Sequence, residues 1–309
     1  MTTELYKLHR PNNLDDIVGQ DDAVRVLKNA FKKGKVAHSW ILTGDSGVGK
    51  TTIARIIANM LGCDPNDFFE YNAADFNSIQ TIREIRSRMS FSGLSKGKTR
   101  VYLLDEMHQL SKPAQNAMLK ILEDTPKHVY FMLATSEPAK VIAAIKTRCT
   151  QLNLRAISIP NLKMLVKTAS KKFEIKIRSD QVLNCIVNAA EGSARRALVL
   201  LEMLQGIKSE ENQLSVIEKN EAKAPAIMIA RALFDRRTKW PDMAKILKET
   251  ETEDVEGLRH MILKYFSSIL LNRSDARAAA IIEEFSAHLY DGKRAEFILR
   301  CYNIIVPAK

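Results

Sequence analysis

Eight consecutive residues fit the pattern G-x-x-x-x-G-K-[ST] of a phosphate-binding loop. In such a loop, glycines turn backbone N–H groups toward the β- and γ-phosphates, and the following helix N-terminus adds positive potential. The lysine supplies a mobile charge, and the next hydroxyl can ligate Mg²⁺. The alternative is a glycine-rich strand-to-helix turn that merely carries a lysine. Together with the next residue, the predicted nucleotide-binding loop is Gly44, Asp45, Ser46, Gly47, Val48, Gly49, Lys50, Thr51 and Thr52.

Two adjacent carboxylates, Asp105 and Glu106, follow the apolar run 100–104. A P-loop ATPase needs one carboxylate to hold the Mg²⁺ shell and a second to orient or deprotonate the attacking water. Taken alone, such a pair is equally typical of a helix start, because acidic residues favour helix N-termini. Its place about 55 residues after Lys50 favours the ATPase interpretation, with Asp105 and Thr51 as the metal ligands.

Polar groups elsewhere could complete the chemistry. Thr135 and Ser136 end the predicted strand 129–135, where a hydroxyl could sense the γ-phosphate, position water or simply cap the next turn. Arg148 and Arg195 could spread the charge that develops during phosphoryl transfer, in cis or from a neighbouring chain. Either arginine could instead be a solvated surface residue.

The elements that must position these residues alternate between strands and helices. Alternation of this kind predicts a doubly wound parallel α/β sheet with ligands at the carboxyl ends of its strands. Apart from the strand and helix that flank the loop, strands are predicted at 68–72, 100–104, 129–135 and 150–154, and helices at 20–33, 77–91 and 113–124.

Beyond residue 155 the alternation stops. Residues 160–205 have the pattern of a small helical bundle, and Gly206 with the polar stretch 209–212 predicts a boundary. Residues 213–305 have a helical pattern throughout. We therefore expect a nucleotide-binding domain at 1–155, a helical domain at 156–206 and a second helical domain at 207–309.

Composition limits the kind of protein. With 46% hydrophobic residues the chain can bury sizeable cores, and no apolar run approaches the roughly 20 residues of a membrane span. The four cysteines lie far apart, without a C-x-x-C pair, which predicts neither a zinc ribbon nor a disulfide framework and fits the reduced cytosol.

The net charge of +11 is unevenly distributed. Residues 1–206 carry 30 Lys and Arg against 20 Asp and Glu, whereas residues 207–309 carry 17 against 16. A basic nucleotide-binding half favours an anionic partner larger than the nucleotide, and nucleic acid is the usual one. The alternative is a basic but inert surface.

The whole set of motifs resembles the AAA+ clamp-loader ATPases, most closely the bacterial DnaX (gamma/tau) subunits and more distantly the replication factor C small subunits. The resemblance implies a P-loop AAA+ domain followed by a helical lid and an all-α collar. The matching segments are Arg10-Pro11 with 17–20, HSWILTGDSGVGKTT, NAADFNSIQTIREI, KTRVYLLDEMHQLSKPAQNAMLKILEDTPKHVYFMLATSEP, IKTRC and EGSARRAL.

This resemblance implies roles for single positions around the nucleotide. Arg10 and Pro11 would border the adenine, and Thr135 or Ser136 would be the sensor-1 polar group. Arg195 would be the sensor-2 arginine acting in cis.

Arg148 would be the arginine finger that reaches the nucleotide of the next subunit. The family's S-R-C triplet is 147–149, Thr-Arg-Cys, in this chain, which keeps a hydroxyl. A larger departure lies between Leu61 and Glu70, where bacterial DnaX chains carry a four-cysteine zinc module and this chain has only Cys63. We therefore expect no metal other than Mg²⁺.

The implied function is that of an ATP-driven motor subunit that opens a DNA sliding clamp and loads it on primer–template DNA. Its cofactors would be ATP and Mg²⁺, and its partners the clamp, the DNA and other loader subunits in a pentameric ring, without a membrane. The expected location is the cytoplasm of a bacterium or of a phage-infected host.

Two surfaces are predicted for the macromolecular partners. Met89, Phe91 and Leu94, at the end of helix 77–91, would contact the clamp, unless they are core residues of the sheet edge. DNA phosphates would contact Arg83 and Arg86, which lie three apart on one helical face, in preference to the neighbouring basic residues Arg88, Lys96, Lys98 and Arg100.

Two other functions stay open. A branch-migration DNA motor is also AAA+ and basic, but it should carry a C-terminal winged-helix module with strands. A structural, non-hydrolysing loader subunit can lose the loop lysine or the acidic pair, whereas this chain keeps both.

Overall fold

The computed structural model describes residues 4–91, 99–221, 225–250, 255–272, 274–289 and 293–306. The chain divides into two compact units, Met1–Ile217 and Glu218–Lys309. Each unit has apolar cores of its own.

The first unit holds five strands: β1 Ser39–Thr43, β2 Phe68–Asn72, β3 Arg100–Asp105, β4 Val129–Thr135 and β5 Thr150–Asn153. Its helices are α1 Leu5–Leu8, α2 Asp21–Lys32, α3 Lys50–Met60, α4 Ile79–Met89, α5 Lys112–Glu123, α6 Ala143–Arg148, α7 Ile159–Lys172, α8 Asp180–Ala190 and α9 Ala194–Met203, and α10 Glu210–Glu221 begins in it. The helices α11 Pro225–Phe234, α12 Trp240–Glu249, α13 Val255–Asn272, α14 Ala276–Phe285 and α15 Lys293–Ile305 follow.

The five strands form one parallel sheet in the order β2-β3-β4-β1-β5. Strands β1, β3 and β4 are almost wholly buried, as expected for a parallel sheet that is covered on both faces. Alternate residues enter opposite cores: Ile41 and Leu133 pack against α4, α5 and α6, while Leu42 and Met132 pack against α2 and α3. The parallel α/β sheet predicted from the sequence is confirmed.

Helix α4 is shorter than predicted, because the Ser78 hydroxyl accepts the backbone N–H of Thr81 at 3.4 Å and caps the helix before Ile79. Its inward face buries Ile82, Ile85 and Met89 in the core above the sheet. Met89 is only 6% exposed. It is therefore a core residue, and the prediction that it contacts a clamp is corrected.

Helices α7, α8 and α9 form a bundle with an apolar core that also contains Leu5 of α1 and Ile217 of α10. The Gln213 side chain of α10 donates to the carbonyl of Lys176 at 2.7 Å and accepts the N–H of Arg178 at 3.1 Å. These long-range contacts hold 207–217 to the bundle, although the sequence predicts that they begin the next domain. The compact unit accordingly ends at Ile217 rather than at Gly206.

Every helix or strand described in the second unit is an α-helix, and the core of this unit contains Phe266, Phe285 and Phe297. In the described parts of the chain no helix combines the length and apolarity needed to cross a membrane.

A buried ion pair fixes the start of β3. The Arg100 guanidinium lies 3.3 Å from the Asp67 carboxylate and donates to the carbonyl of Arg88 at 2.8 Å. Asp67 is fully buried, and Arg100 is 8% exposed. Arg100 therefore joins β3 to the end of α4 and cannot be one of the DNA-contacting residues.

We predict that Arg100→Met lowers the free energy of unfolding by about 3–5 kcal/mol, because the buried Asp67 carboxylate would lose the Arg100 guanidinium. Removing both charges with Asp67→Leu and Arg100→Met should recover much of that loss. Urea denaturation measures both values, and Arg83→Met on the exposed face of α4 serves as the control. A loss for Arg100→Met no larger than that of the control would contradict this account.

Candidate nucleotide-binding site

The loop between β1 and α3 has a backbone that only glycine accommodates well. Gly44 and Gly47 have φ of 142° and 79°, in the region that disfavours side chains. A Cβ on Gly44 would collide with the carbonyl of Leu154, and one on Gly47 would collide with the hydroxyl of Ser193. The loop is therefore packed between the end of β5 and the start of α9.

Lys50 opens α3 and turns back into the loop. Its ammonium group donates to the carbonyl oxygens of Gly44 at 2.7 Å and Asp45 at 2.9 Å. The residue is only 5% exposed, and burial lowers its pKa, while Glu106 and Asp105 act in the opposite direction. Gly44 and Asp45 thus contribute carbonyl groups that hold the lysine beside the cavity.

The carboxylate pair at the end of β3 faces the same loop. The Thr51 hydroxyl donates to Asp105 Oδ2 at 2.7 Å, and Asp105 Oδ1 accepts the N–H of Glu106 at 2.9 Å. A hydroxyl and a carboxylate side by side are hard oxygen donors of the kind that Mg²⁺ prefers. The donor set thus fits the predicted metal ligands.

The two hydroxyls at the end of β4 have different surroundings. Ser136 Oγ donates to Glu106 Oε2 at 3.1 Å. Thr135 is fully buried, and its Oγ1 lies 3.1 Å from His108 Nδ1. Of the two candidates for the sensor-1 group, Ser136 therefore contacts Glu106 directly and Thr135 does so through His108.

A cavity of about 360 Å³ is bordered by the loop, by Lys50 and by the carboxylate pair at the end of β3. The predicted residues Arg10 and Arg195 both line it, and the Arg195 guanidinium lies 5.4 Å from the centre of the Tyr6 ring. Burial lowers the pKa of Arg10. From the predicted set the cavity walls also include Ser46, Gly47, Gly49, Lys50, Thr51, Thr52, Asp105 and Glu106.

Some cavity residues were not predicted from the sequence. Asn72 and Glu70 come from β2, while Tyr6 and Leu198 come from α1 and α9. Asn72 could have been found, because it is a polar residue at the carboxyl end of a strand. No local signal identifies Tyr6, which reaches the cavity through the packing of α1 on the α7–α9 bundle.

Pro11 lines a second, smaller cavity of about 60 Å³ instead. Val18, Val48 and Ile157 contribute apolar walls to it, and Thr52 lines both cavities. Arg10 and Pro11 therefore border two adjoining spaces, one polar and one mostly apolar.

Other predicted residues lie away from the cavity. Arg148 ends α6 and pairs with Glu123 of α5, and its Nη1 donates to the carbonyl of Ala144 at 3.0 Å. Phe91 is 68% exposed, while Leu94 lies outside the described residues.

Comparison with curated proteins identifies relatives. The chain is 33% identical over 265 residues to the DNA polymerase III subunit gamma of Buchnera aphidicola subsp. Schizaphis graminum, spanning 76% of this chain and 71% of that protein. This chain belongs to the DNA polymerase III gamma-subunit family. The predicted resemblance to bacterial gamma/tau subunits is confirmed.

Longer members of the gamma-subunit family match over part of their length. The tau subunits of Escherichia coli (strain K12) and Bacillus subtilis (strain 168) are 32% and 29% identical, and the chain spans 36% and 54% of them. A family model described as "DNA polymerase III, delta subunit" matches residues 19–74 and 66–158.

The fold of this gamma-family chain is shared with other solved structures. The Holliday junction branch migration motor RuvB of Thermotoga maritima aligns with a TM-score of 0.57 at 22% identity, over 81% of this chain and 84% of that one. At this identity the likeness concerns the fold.

We predict that Lys50→Ala lowers the affinity for ATP by about 100-fold or more, because charge-assisted hydrogen bonds to phosphate are lost. Titration with a fluorescent ATP analogue measures the affinity. Lys33→Ala, which removes an exposed lysine beyond the end of α2, should bind like the unchanged chain. Equal affinities for the two variants would show that Lys50 does not bind phosphate.

Proposed function

We propose that the chain is an ATP-hydrolysing subunit of a DNA sliding-clamp loader, which opens a clamp and places it on primer–template DNA. The observation that carries the proposal is the cavity where Lys50, Thr51, Asp105, Glu106 and Arg195 meet in a member of the gamma-subunit family.

The loop N–H groups and Lys50 bind the β- and γ-phosphates, since the loop residues 46, 47, 49 and 50 line the cavity at the start of α3. The small cavity beside Pro11 has the apolar walls suited to the adenine, and Arg10 borders its polar side. Glu106 orients and deprotonates the attacking water.

Thr51 and Asp105 would hold Mg²⁺, which neutralises phosphate charge when it is bound. Ser136 acts as the sensor-1 group, because its hydroxyl reaches Glu106.

Two arginines have different tasks. Arg195 acts in cis, because it lines the cavity of its own chain. Arg148 acts in trans on the nucleotide of the next subunit, as the family resemblance implies. Its pairing with Glu123 leaves it partly exposed at the end of α6, beside the edge strand β5.

The helical parts complete the assembly. The bundle of α7–α9 is the lid over the nucleotide, and the second unit is the collar that joins the subunits in a pentameric ring. Phe91, exposed beyond α4, contacts the clamp. As a replication subunit of bacterial type, the chain works in the cytoplasm.

The alternatives have less support. The branch-migration motor shares the fold, but every described element of the second unit is helical, and residues 207–309 are nearly neutral. A non-hydrolysing subunit would not need Lys50, Asp105 and Glu106 gathered at one cavity.

The function is tested by ATP hydrolysis of the full chain co-assembled with its loader partners. We predict the highest turnover with clamp and primer–template DNA together, and a loss of about 100-fold or more in Glu106→Gln, which should still bind ATP. Stimulation by four-way junctions without a clamp would instead support the branch-migration motor. Near-normal turnover of Glu106→Gln would show that Glu106 does not activate the attacking water.

The DNA contact is tested separately. Arg83 and Arg86 are exposed on α4, and if both bind phosphates, their double change to Ala should lower the log–log salt slope of DNA binding by about 0.9 for each lost contact. The matched control is Arg88→Ala, which removes an exposed arginine displaced around the same helix. An unchanged slope in the double variant would show that both arginines are solvated surface residues that do not bind DNA phosphates.

A further inference from the structure

His108 lies in the short turn Met107–Gln109 that follows β3, and its side chain is only 5% exposed. Ring nitrogen Nδ1 lies 3.1 Å from Thr135 Oγ1 and 3.4 Å from Glu106 Oε2. Ring nitrogen Nε2 lies 3.2 Å from Glu137 Oε1. The imidazole therefore contacts Glu106, which follows β3, and also Thr135 and Glu137, which lie before and after Ser136 at the end of β4.

Glu106 is held on one side only. In the described parts of the chain, both contacts of its carboxylate, from Ser136 Oγ and His108 Nδ1, fall on Oε2. Glu106 is also one of the residues that line the main cavity. With Oε2 anchored, Oε1 remains the oxygen that can accept a proton from a water in that cavity.

The Glu106 carboxylate needs these contacts, because its side chain leaves a tight turn and is otherwise free to rotate. The φ of Glu106 is 49°, in the left-handed region, which a glutamate seldom adopts, and the Glu106 carbonyl accepts the N–H of Gln109 to close the turn. The long side chain that leaves this turn has several rotamers, and a general base works only when its oxygen lies within hydrogen-bonding reach of the water.

We propose that His108 is a positioning residue that, together with Ser136, holds the Glu106 carboxylate in the orientation required to activate the attacking water. The proposal rests on the proposed ATPase function, because it assigns His108 a task only in hydrolysis. Nucleotide binding uses the loop and the arginines, none of which has a described hydrogen bond to His108.

The first test compares His108→Ala, His108→Asn and His108→Gln in the full chain co-assembled with its loader partners. His108→Ala should lower kcat by about 10- to 100-fold, because a small displacement of a reacting group has effects of this size. The affinity for ATP should stay within about twofold. The Asn amide can replace Nδ1 and should recover most of the turnover, whereas the Gln amide replaces Nε2 and should not.

A role in packing alone would give a different pattern. It would lower turnover and ATP affinity together in His108→Ala, with no advantage of Asn over Gln. Either that pattern or unchanged turnover in His108→Ala would overturn the inference.

The second test is a double-mutant cycle with Glu106→Gln. If His108 acts through Glu106, adding His108→Ala to Glu106→Gln should cause no further loss of turnover. A loss that adds fully to the first would overturn the inference.

The third test needs neither nucleotide nor activity. In nitrogen NMR spectra of the nucleotide-free chain, Glu106→Gln should shift the His108 Nδ1 resonance and leave His38 unchanged. His38 serves as the internal control, because its Nδ1 lies 2.9 Å from the carbonyl of Val129 and its ring stacks on Tyr130. An unchanged His108 resonance would show that His108 does not contact the Glu106 carboxylate and would overturn the inference. This test does not depend on whether His108→Ala folds.

The failure of the function and of the inference can be told apart. No hydrolysis by the unchanged chain with its partners would overturn the proposed function and this inference with it. Hydrolysis by the unchanged chain with full turnover in His108→Ala would overturn the inference alone.

Discussion

A buried ammonium group is the constraint on which the site depends. Lys50 is nearly inaccessible to solvent, and removing its charge from water is costly unless acceptors replace the lost hydration. The carbonyl groups of Gly44 and Asp45 supply those acceptors, and they do so only because Gly44 adopts a positive φ close to the carbonyl of Leu154. The loop is thus held in shape by its own lysine, and a phosphate would meet a charge that is already in place.

The strand order explains why residues far apart in the chain meet at this lysine. β3, β4 and β1 are neighbours in a parallel sheet, so their carboxyl ends lie along one edge. Asp105 and Glu106 leave β3 at that edge, Ser136 leaves β4, and Thr51 follows the loop after β1. The helices that cover both faces of the sheet exclude water from β1, β3 and β4, and the polar groups at the carboxyl ends of these strands lie where that cover stops.

Local patterns in the sequence predicted much of this arrangement. The glycine-rich motif predicted Lys50, and an apolar strand that ends in two carboxylates predicted Asp105; both residues line the same cavity. Contacts set by tertiary packing were not found, since spacing gives no sign that His108 turns toward β4 or that Tyr6 reaches the cavity from α1. The burial of Arg100 was also missed, because nothing in the sequence near this charged residue shows that it pairs with Asp67 of another segment.

The cavity is formed by the sheet and by the bundle together, and this has a consequence for the ATP cycle. Arg195 donates its backbone N–H to the carbonyl of Gly47 at 3.3 Å, so the start of α9 is tied to the phosphate loop itself. Its side chain lies over Tyr6 of α1, which packs on the same bundle. A ligand that contacts Lys50 on one side and Arg195 on the other favours the arrangement of sheet and bundle in which both contacts are made. A ligand shifts the equilibrium between this arrangement and one in which sheet and bundle are farther apart only if it binds the two with different affinity. A nucleotide without its γ-phosphate makes fewer contacts and would therefore favour this arrangement less. In the proposed function, hydrolysis at the sheet edge would thereby be linked to the position of α7–α9.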